Sequence, residues 1–352
     1  RLESVFPHGR FAFHNERDTL LGGVFVPIRE APGRLANVPK STTKTRVITV
    51  ELAADQFLQQ GLRSWLISNQ TVALKKAYDG SNQELSKVAA KEASSDGSAA
   101  TIDLKSASDL LSLDLVRYAF QSNRQLTMCL EACRQTVIDP VLEPRDTRVF
   151  LRKYAGQGNA TTFEVQSLIY VGLCITACMF DDGVDPSKVN LAAVKRYASK
   201  VRVFGDDIVL PSQNVLTLSR ILQAFGLKIN GTKSHVEGFF REACGGDYYR
   251  GYDVTPLYFH ATSLERSPSH LVSWCAVRDN AYEKGCWETA KYMQNQTPEI
   301  FRNFNLNGAI GFSSRLRYTS TRSRVRWNCD LQRAEVFAPC LVQKPRTRES
   351  ET

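Results

Sequence analysis

Histidine is scarce in this chain, at five of 352 residues, and none lies near the two closest cysteine pairs, Cys129/Cys133 and Cys174/Cys178. Their i,i+4 spacing could hold zinc only with further nitrogen or sulfur ligands, so small buried hydrophobes are the expected role. A secretory signal pattern is lacking and the nine cysteines are odd in number, which fits free thiols in a reducing cytoplasm better than a disulfide framework. Long apolar runs are lacking too. The longest uncharged one, Ser167 to Phe180, falls short of the ~20 residues a bilayer span needs and is expected to form a core helix. There is no internal repeat and no low-complexity tract. The chain opens on Arg1 rather than Met and both ends look abrupt, so a piece of a longer protein is expected.

What is present points to a well-packed protein with a polyanionic partner. A hydrophobic content of 43% over 352 residues supports one large domain or two to three closely packed ones. Forty-five basic against 36 acidic side chains leave a formal charge of +9, which favours nucleic acid among possible partners.

The most informative stretch is Arg202-Val203-Phe204-Gly205-Asp206-Asp207-Ile208-Val209-Leu210. Two short apolar runs joined through Gly-Asp read as a β-hairpin with acid at its tip. Neighbouring carboxylates repel, and hard oxygen ligands suit Mg²⁺ or Mn²⁺. An ordinary Asp-rich turn explains the triplet equally well when it is taken alone.

Other stretches add weight. Residues 1–37 give no clear periodicity and read as an extended or loop-rich lead-in. Lys40, Lys44 and Arg46 then crowd one basic loop that runs into a β-branched strand, either a solvated loop or a clamp for phosphates. Helical patterns follow over 53–69 and 84–93. Asp103 ends the short apolar strand that starts at Ala99, where an unpaired carboxylate is expensive, and Asp109 opens the next helix, where it also suits the helix dipole. Another helical stretch covers about Leu126 to Thr136, and Thr147 to Tyr154 reads as a strand. The loop Ala155-Gly156-Gln157-Gly158-Asn159-Ala160-Thr161-Thr162 precedes the apolar helix Phe163–Phe180, and its glycines would let backbone approach a ligand closely. A helix is expected from Pro186 to about Ser199, another over Val215 to Phe225, then a turn and basic strand carrying Lys233. Aromatic strands run to Phe259 and helices from Pro268 to about Gln296. Arg315, Arg317, Arg322, Arg324 and Arg326 close the chain as either a nucleic-acid track or a solvated surface.

Taken in order, these pieces resemble the palm of template-directed polymerases. The phrases VPKSTTKTRVITVE, TIDLKSASDLLS, GQGNATTFEVQSLIY, VFGDDIVLP and FFREACGGDYYRGYDVTP are similar to the replicase catalytic subunit of single-stranded RNA bacteriophages, the levivirus-type RNA-dependent RNA polymerase. The resemblance runs from about Val38 to Phe259 and weakens beyond, where GCWETA and RWNCDLQ still look familiar. It implies an α/β (α+β) right-hand fold: fingers over 1–98, palm over 99–120, a fingers insertion over 121–146, palm again over 147–260, and a mainly helical thumb with a basic segment over 261–352.

For chemistry, the resemblance implies nucleotidyl transfer with two Mg²⁺ ions, replaceable by Mn²⁺, held by Asp103 and Asp206 with Asp207 as a nearby ligand or modulator. Lys40, Lys44 and Arg46 would neutralise the triphosphate. Lys233 would hold or protonate pyrophosphate, a salt-bridging role being the alternative. Asp109, with Gly158, Asn159 or Thr162 of the glycine loop, would read the ribose 2′-hydroxyl. The family usually has a second glycine at Ala160 and often methionine at Gln157, so the loop departs from its pattern. Implied partners are an RNA template and product, ribonucleoside triphosphates, host elongation factors Tu and Ts and a ribosomal protein, in the cytoplasm of an infected bacterium and away from membranes. A reverse transcriptase shares the paired aspartates but usually carries a bulky aromatic after the first acid, and Leu104 to Ser108 has none. An inactive RNA-binding module of the same fold is the third reading, which the intact acids disfavour.

Overall fold

The computed structural model describes residues 32–39, 45–139, 149–259, 268–298, 325–330 and 332–336. Two compact units divide the chain, residues 1–255 and 256–352. Both are mixtures of helices and strands, an α+β composition in which every strand pair but the parallel contact of Gly33 and Arg34 with Ile138 and Asp139 is antiparallel among the described residues.

The first unit is organised around a sheet in which β6 (Arg202–Phe204), β7 (Asp207–Pro211), β3 (Ala99–Lys105) and β8 (Lys228–Ile229) lie side by side in that order, all antiparallel. Period-two alternation shows at the acid-bearing end of the central strand, while Thr101 further back is buried as well. Ala100, Ile102 and Leu104 of β3 are buried while Asp103 is half-buried and Lys105 exposed, as one face packs into the core. A second sheet runs β2 (Thr45–Val50), β1 (Gly33–Pro39), β4 (Val137–Asp139), β5 (Val149–Phe150). The end of the apparent lead-in is therefore a strand, and of the strand expected over Thr147–Tyr154 only Val149–Phe150 forms a strand among the described residues, with Lys153 adding an isolated bridge to Ser112. The third sheet joins β9 (Phe240–Ala243), β10 (Gly246–Tyr249) and β11 (Tyr252–Asp253).

The helices of this unit are α1 (Ala53–Ser68), α2 (Val72–Ala77), α3 (Glu84–Asp96), α4 (Ala107–Leu110), α5 (Leu113–Phe120), α6 (Arg124–Ala132), α7 (Thr162–Asp181), α8 (Leu191–Ala198) and α9 (Val215–Ala224). Several begin where the sequence supplies a cap: Ser112, Asn123 and Asn190 accept the N–H of Leu115, Leu126 and Ala193 at 3.0–3.1 Å. The Asn190 cap also explains a departure from expectation. Pro186–Lys188 forms only a 3₁₀ turn, and α8 starts afresh after the cap.

Helix α7 is the core of the unit. On length and composition alone it could cross a bilayer, but 67% of its most apolar window is buried inside the protein. Val165, Tyr170, Val171, Cys174, Ala177 and Cys178 are almost fully buried, and each large apolar side chain so placed contributes about 1.5–3 kcal/mol. Burial also raises the thiol pKa of Cys174 and Cys178, so both sit as neutral hydrophobes. None of the eight described cysteines is in a disulfide.

In the second unit, α10 (Pro268–Glu283) and α11 (Trp287–Gln296) pack through Trp274, Val277 and Met293. Trp274 Nε1 donates to Met293 O at 3.1 Å. Strands β12 (Val325–Asn328) and β13 (Arg333–Val336) form a hairpin with Arg326 opposite Glu335. Arg315, Arg317, Arg322 and Arg324 lie outside the described residues.

Candidate active site

The first acid and the second pair meet on adjacent strands. In the β3–β7 ladder, Asp103 stands directly opposite Asp207, and directly opposed residues of an antiparallel pair project from the same face. Like charges so placed destabilise the ladder. The cost is visible in Asp207, whose pKa is pushed up to about 6, first by burial and then by the charges of Asp206 and Asp103. Cys244, at the β9–β10 turn, works against this rise with its backbone and its side chain, the backbone N–H reaching Asp207 Oδ2 at 2.9 Å.

Only one of the two adjacent acids sits on the hairpin tip. Phe204 pairs with Asp207, so the two-residue turn is Gly205–Asp206 and Asp207 already belongs to β7. Gly205 has φ +67°, the Gly-first pattern of a II′ hairpin. A side chain there would also strike the Phe163 ring, with Cε2 2.5 Å from the added Cβ. Helix α7 holds the turn from beneath, where Ser167 Oγ accepts the Gly205 N–H at 2.9 Å. Tyr170, one turn on, donates to Ala107 O at 3.0 Å, and burial together with the charge of Asp206 raises its pKa. Asp206 itself is exposed.

On the far side of β3, Asn230 Nδ2 donates to Asp103 Oδ2 at 2.6 Å. Lys233 is exposed on the same turn, its N–H bonded to Asn230 O at 3.0 Å. Sequence order thus brings Asp103, Asp206, Asp207 and the Lys233 turn to one end of one sheet. Among the described residues, no three or more His, Cys, Asp or Glu side chains converge tightly enough to enclose an ion by themselves.

The glycine loop reaches the same neighbourhood by a different surface than expected. Lys153 Nζ lies 2.6 Å from Asp109 Oδ1, and Gln157 Nε2 donates to Ser108 Oγ at 3.3 Å. Asp109 is exposed and ion-paired. Asn159 and Thr162, by contrast, are buried. Asn159 donates to Glu51 Oε2 at 3.3 Å and accepts from Thr161 N and Oγ1, while Thr162 Oγ1 donates to Gly156 O at 3.4 Å. The close backbone approach that the glycines permit is to a strand. Gly158, at φ +113°, would carry a Cβ 2.6 Å from Thr49 O, and Thr49 N donates to Gln157 O at 2.6 Å. The loop is thereby fastened to β2, the strand that also carries Arg46, whose side chain is exposed. Lys40 and Lys44 lie outside the described residues.

The family model described as RNA replicase, beta-chain, matches residues 28–293. The chain belongs to the RNA replicase beta-chain family. Among its replicase relatives, the RNA-directed RNA polymerase subunit beta of Escherichia virus Qbeta is 31% identical over 270 residues, 72% of this chain and 40% of that protein. The RNA-directed RNA polymerase beta chain of Escherichia phage MS2 is 31% identical over 222 residues, 63% and 36% respectively. The chain therefore spans well under half the length of those two relatives. Among solved structures, the RNA-dependent RNA polymerase of a human picobirnavirus superposes with a TM-score of 0.52 at 13% identity, over 77% of this chain and 58% of that one, a likeness of fold.

Three residues that organise this candidate site carry no local signal in the sequence. Asn230, Ser234 and Cys244 act on acids 127, 131 and 37 residues away. Only the pairing of β8 with β3, and the bonding of β9 to the start of β3 through Arg241, bring them there. The nearest hint is the crowding of turn-forming residues over Asn230–Ser234.

Proposed function

We propose that this chain is the catalytic portion of an RNA-dependent RNA polymerase that replicates the genome of a positive-strand RNA phage. The observation that carries the reading is the facing pair Asp103 and Asp207, with Asp206 on the adjoining turn. Two directly opposed carboxylates, one with its pKa pushed up to about 6 by burial and by its acidic neighbours, are an arrangement that a divalent cation relieves. Mg²⁺ takes only one or two protein carboxylates and completes its shell with water and substrate phosphate, so a facing pair suits it better than a closed cage would.

Asp103 and Asp206 would be the chief ligands of two Mg²⁺ ions, with Mn²⁺ able to replace them and Asp207 adjoining. Such a pair supplies charge stabilisation to the attacking 3′-oxygen and the leaving pyrophosphate oxygen. In the reaction the primer 3′-hydroxyl loses its proton, its oxygen bonds to the α-phosphorus, and the bond from that phosphorus to the bridging oxygen breaks. Lys233 Nζ would neutralise or protonate the departing pyrophosphate. Lys40, Lys44 and Arg46 would steer the triphosphate, and Asp109 on α4 would contact the ribose 2′-hydroxyl after parting from Lys153. Gly158, Asn159 and Thr162 then serve by fixing the loop behind it. The first unit would supply fingers and palm and the second a thumb. Template RNA, ribonucleotides, host elongation factors Tu and Ts and a ribosomal protein would be its partners, in the host cytoplasm.

Incorporation of labelled nucleotides on an RNA template tests this reading. Ribonucleotides should be incorporated, deoxyribonucleotides should not, and Asp206→Asn should abolish the signal. Deoxyribonucleotide incorporation would indicate a reverse transcriptase. Tight RNA binding with no incorporation of either would make the chain a binding module.

A further inference from the structure

The edge strand beside Asp103 does not run straight past it. Strand β8 ends at Ile229, opposite Leu104, and after the Asn230 N–H the main chain bonds to that of β3 again at His235, which exchanges both backbone bonds with Thr101 at 2.7 and 3.1 Å. The excursion Asn230–Ser234 therefore brackets Asp103 on the side away from β7. Asn230 lies at its hub. Its N–H donates to Asp103 O at 2.8 Å and its C=O accepts from Lys233 N at 3.0 Å. Its side chain accepts from Thr232 Oγ1 at 2.9 Å and donates to Asp103 Oδ2 at 2.6 Å. A carboxylate only accepts hydrogen bonds, which fixes the amide nitrogen towards Asp103. Ser234 Oγ completes the bracket by accepting the Asp103 N–H at 3.1 Å.

We propose that Asn230 is a positioning residue: it sets the rotation of the Asp103 carboxylate that faces Asp207, and it locks the Lys233 turn in register with that acid. The inference rests on the metal-dependent reading of Asp103 and Asp207. Residue choice supports it. Asp would form the turn as well as Asn, but it would place a further negative charge against Asp103 and remove the donor. Partners that orient a metal ligand in this way typically change metal affinity or activity by about 10–100-fold when removed, whereas a residue serving only the turn would affect melting.

The test uses the full chain and Mn²⁺ alone, with bound ion measured from the loss of the free-ion electron paramagnetic resonance signal and folding measured by thermal melting. Asn230→Ser keeps a turn-forming residue but cannot reach Asp103. It should weaken Mn²⁺ binding about tenfold while melting close to the unsubstituted protein. Asn230→Ala should weaken binding as much, and if it fails to fold, Asn230→Ser decides alone. Thr232→Val removes the other bond of the same side chain and should bind Mn²⁺ normally. Unchanged binding in Asn230→Ser, beside unsubstituted protein that binds and Asp103→Asn that does not, overturns the role of Asn230 and leaves the metal reading standing. Failure of the unsubstituted protein to bind Mn²⁺ overturns both.

Discussion

Asp103 and Asp207 occupy opposed positions of one antiparallel ladder, so the chain folds two acids against each other where an apolar pair would be more stable. The Asp207 pKa is raised from 3.8 to about 6, which gives a sign that can be measured. Below about pH 4 the group is protonated in folded and unfolded chains alike, and the stabilisation from that proton is fully present. It is lost as the pH rises through 6, where the folded chain must give the proton up. Asp207→Asn should therefore melt higher than the unsubstituted protein at pH 7.5 without divalent cations. A gain on the order of 2 kcal/mol is expected, shrinking towards zero near pH 4. Added Mg²⁺ should narrow the gap by stabilising the unsubstituted protein more than the variant, which keeps Asp103 and Asp206 but loses the adjoining carboxylate. A lower melting temperature for Asp207→Asn at pH 7.5 would contradict this account.

The turn carrying Asp206 makes a second prediction. Gly205 meets two requirements together, a positive φ and contact with the Phe163 ring. Gly205→Ala should cost about 1–3 kcal/mol. Phe163→Leu in the same chain should recover only the steric part, because the backbone strain remains. Full recovery in chemical denaturation would show that φ at Gly205 is unimportant.

The acids and the hairpin were legible in the sequence because hydrophobic alternation and a Gly-Asp turn are local signals. Helix α7 was legible for the same reason, to within a residue at either end. The fastening of the site was not. Asn230, Cys244 and Arg241 act through bonds that span 37 to 142 residues, and nothing in their own neighbourhoods announces a distant partner. The glycine loop shows a different failure. Its glycines were legible as a site of close backbone approach, but sequence does not say what approaches, and the partner is Thr49 of β2.

That reassignment is testable. Gly158→Ala meets the backbone oxygen of Thr49 at 2.6 Å, whereas Gly156→Ala meets the Thr49 side chain, with its Cβ at 2.6 Å. Both should lower stability, by about 1–3 kcal/mol. Thr49→Gly should rescue part of the Gly156→Ala loss and none of the Gly158→Ala loss, a difference a double-mutant cycle on urea midpoints would read. Equal rescue of both would place the close contact elsewhere.

Arg241 gives the last prediction. Its side chain is fully buried, and its guanidinium donates to five main-chain carbonyls: Ala99 at 2.5 Å, Phe240 at 2.7 Å, Gly238 at 3.0 Å, Val236 at 3.3 Å and Glu237 at 3.5 Å. The bond to Ala99 ties β9 to the start of β3, and β9 leads into the Cys244 turn that holds Asp207. Lysine has three donors on one flexible point rather than a planar fork, so Arg241→Lys leaves buried carbonyls unpaired at about 1–3 kcal/mol for each group lost. A stability loss of at least about 2 kcal/mol follows. Because the same strand leads into the turn that carries the donor to Asp207, Mn²⁺ affinity should fall as well, measured at a temperature where the variant remains folded. If stability fell while metal binding held, β9 would be fastening the fold without setting the acids, and the placement of Asp207 would have to be credited to β3 and β7 alone.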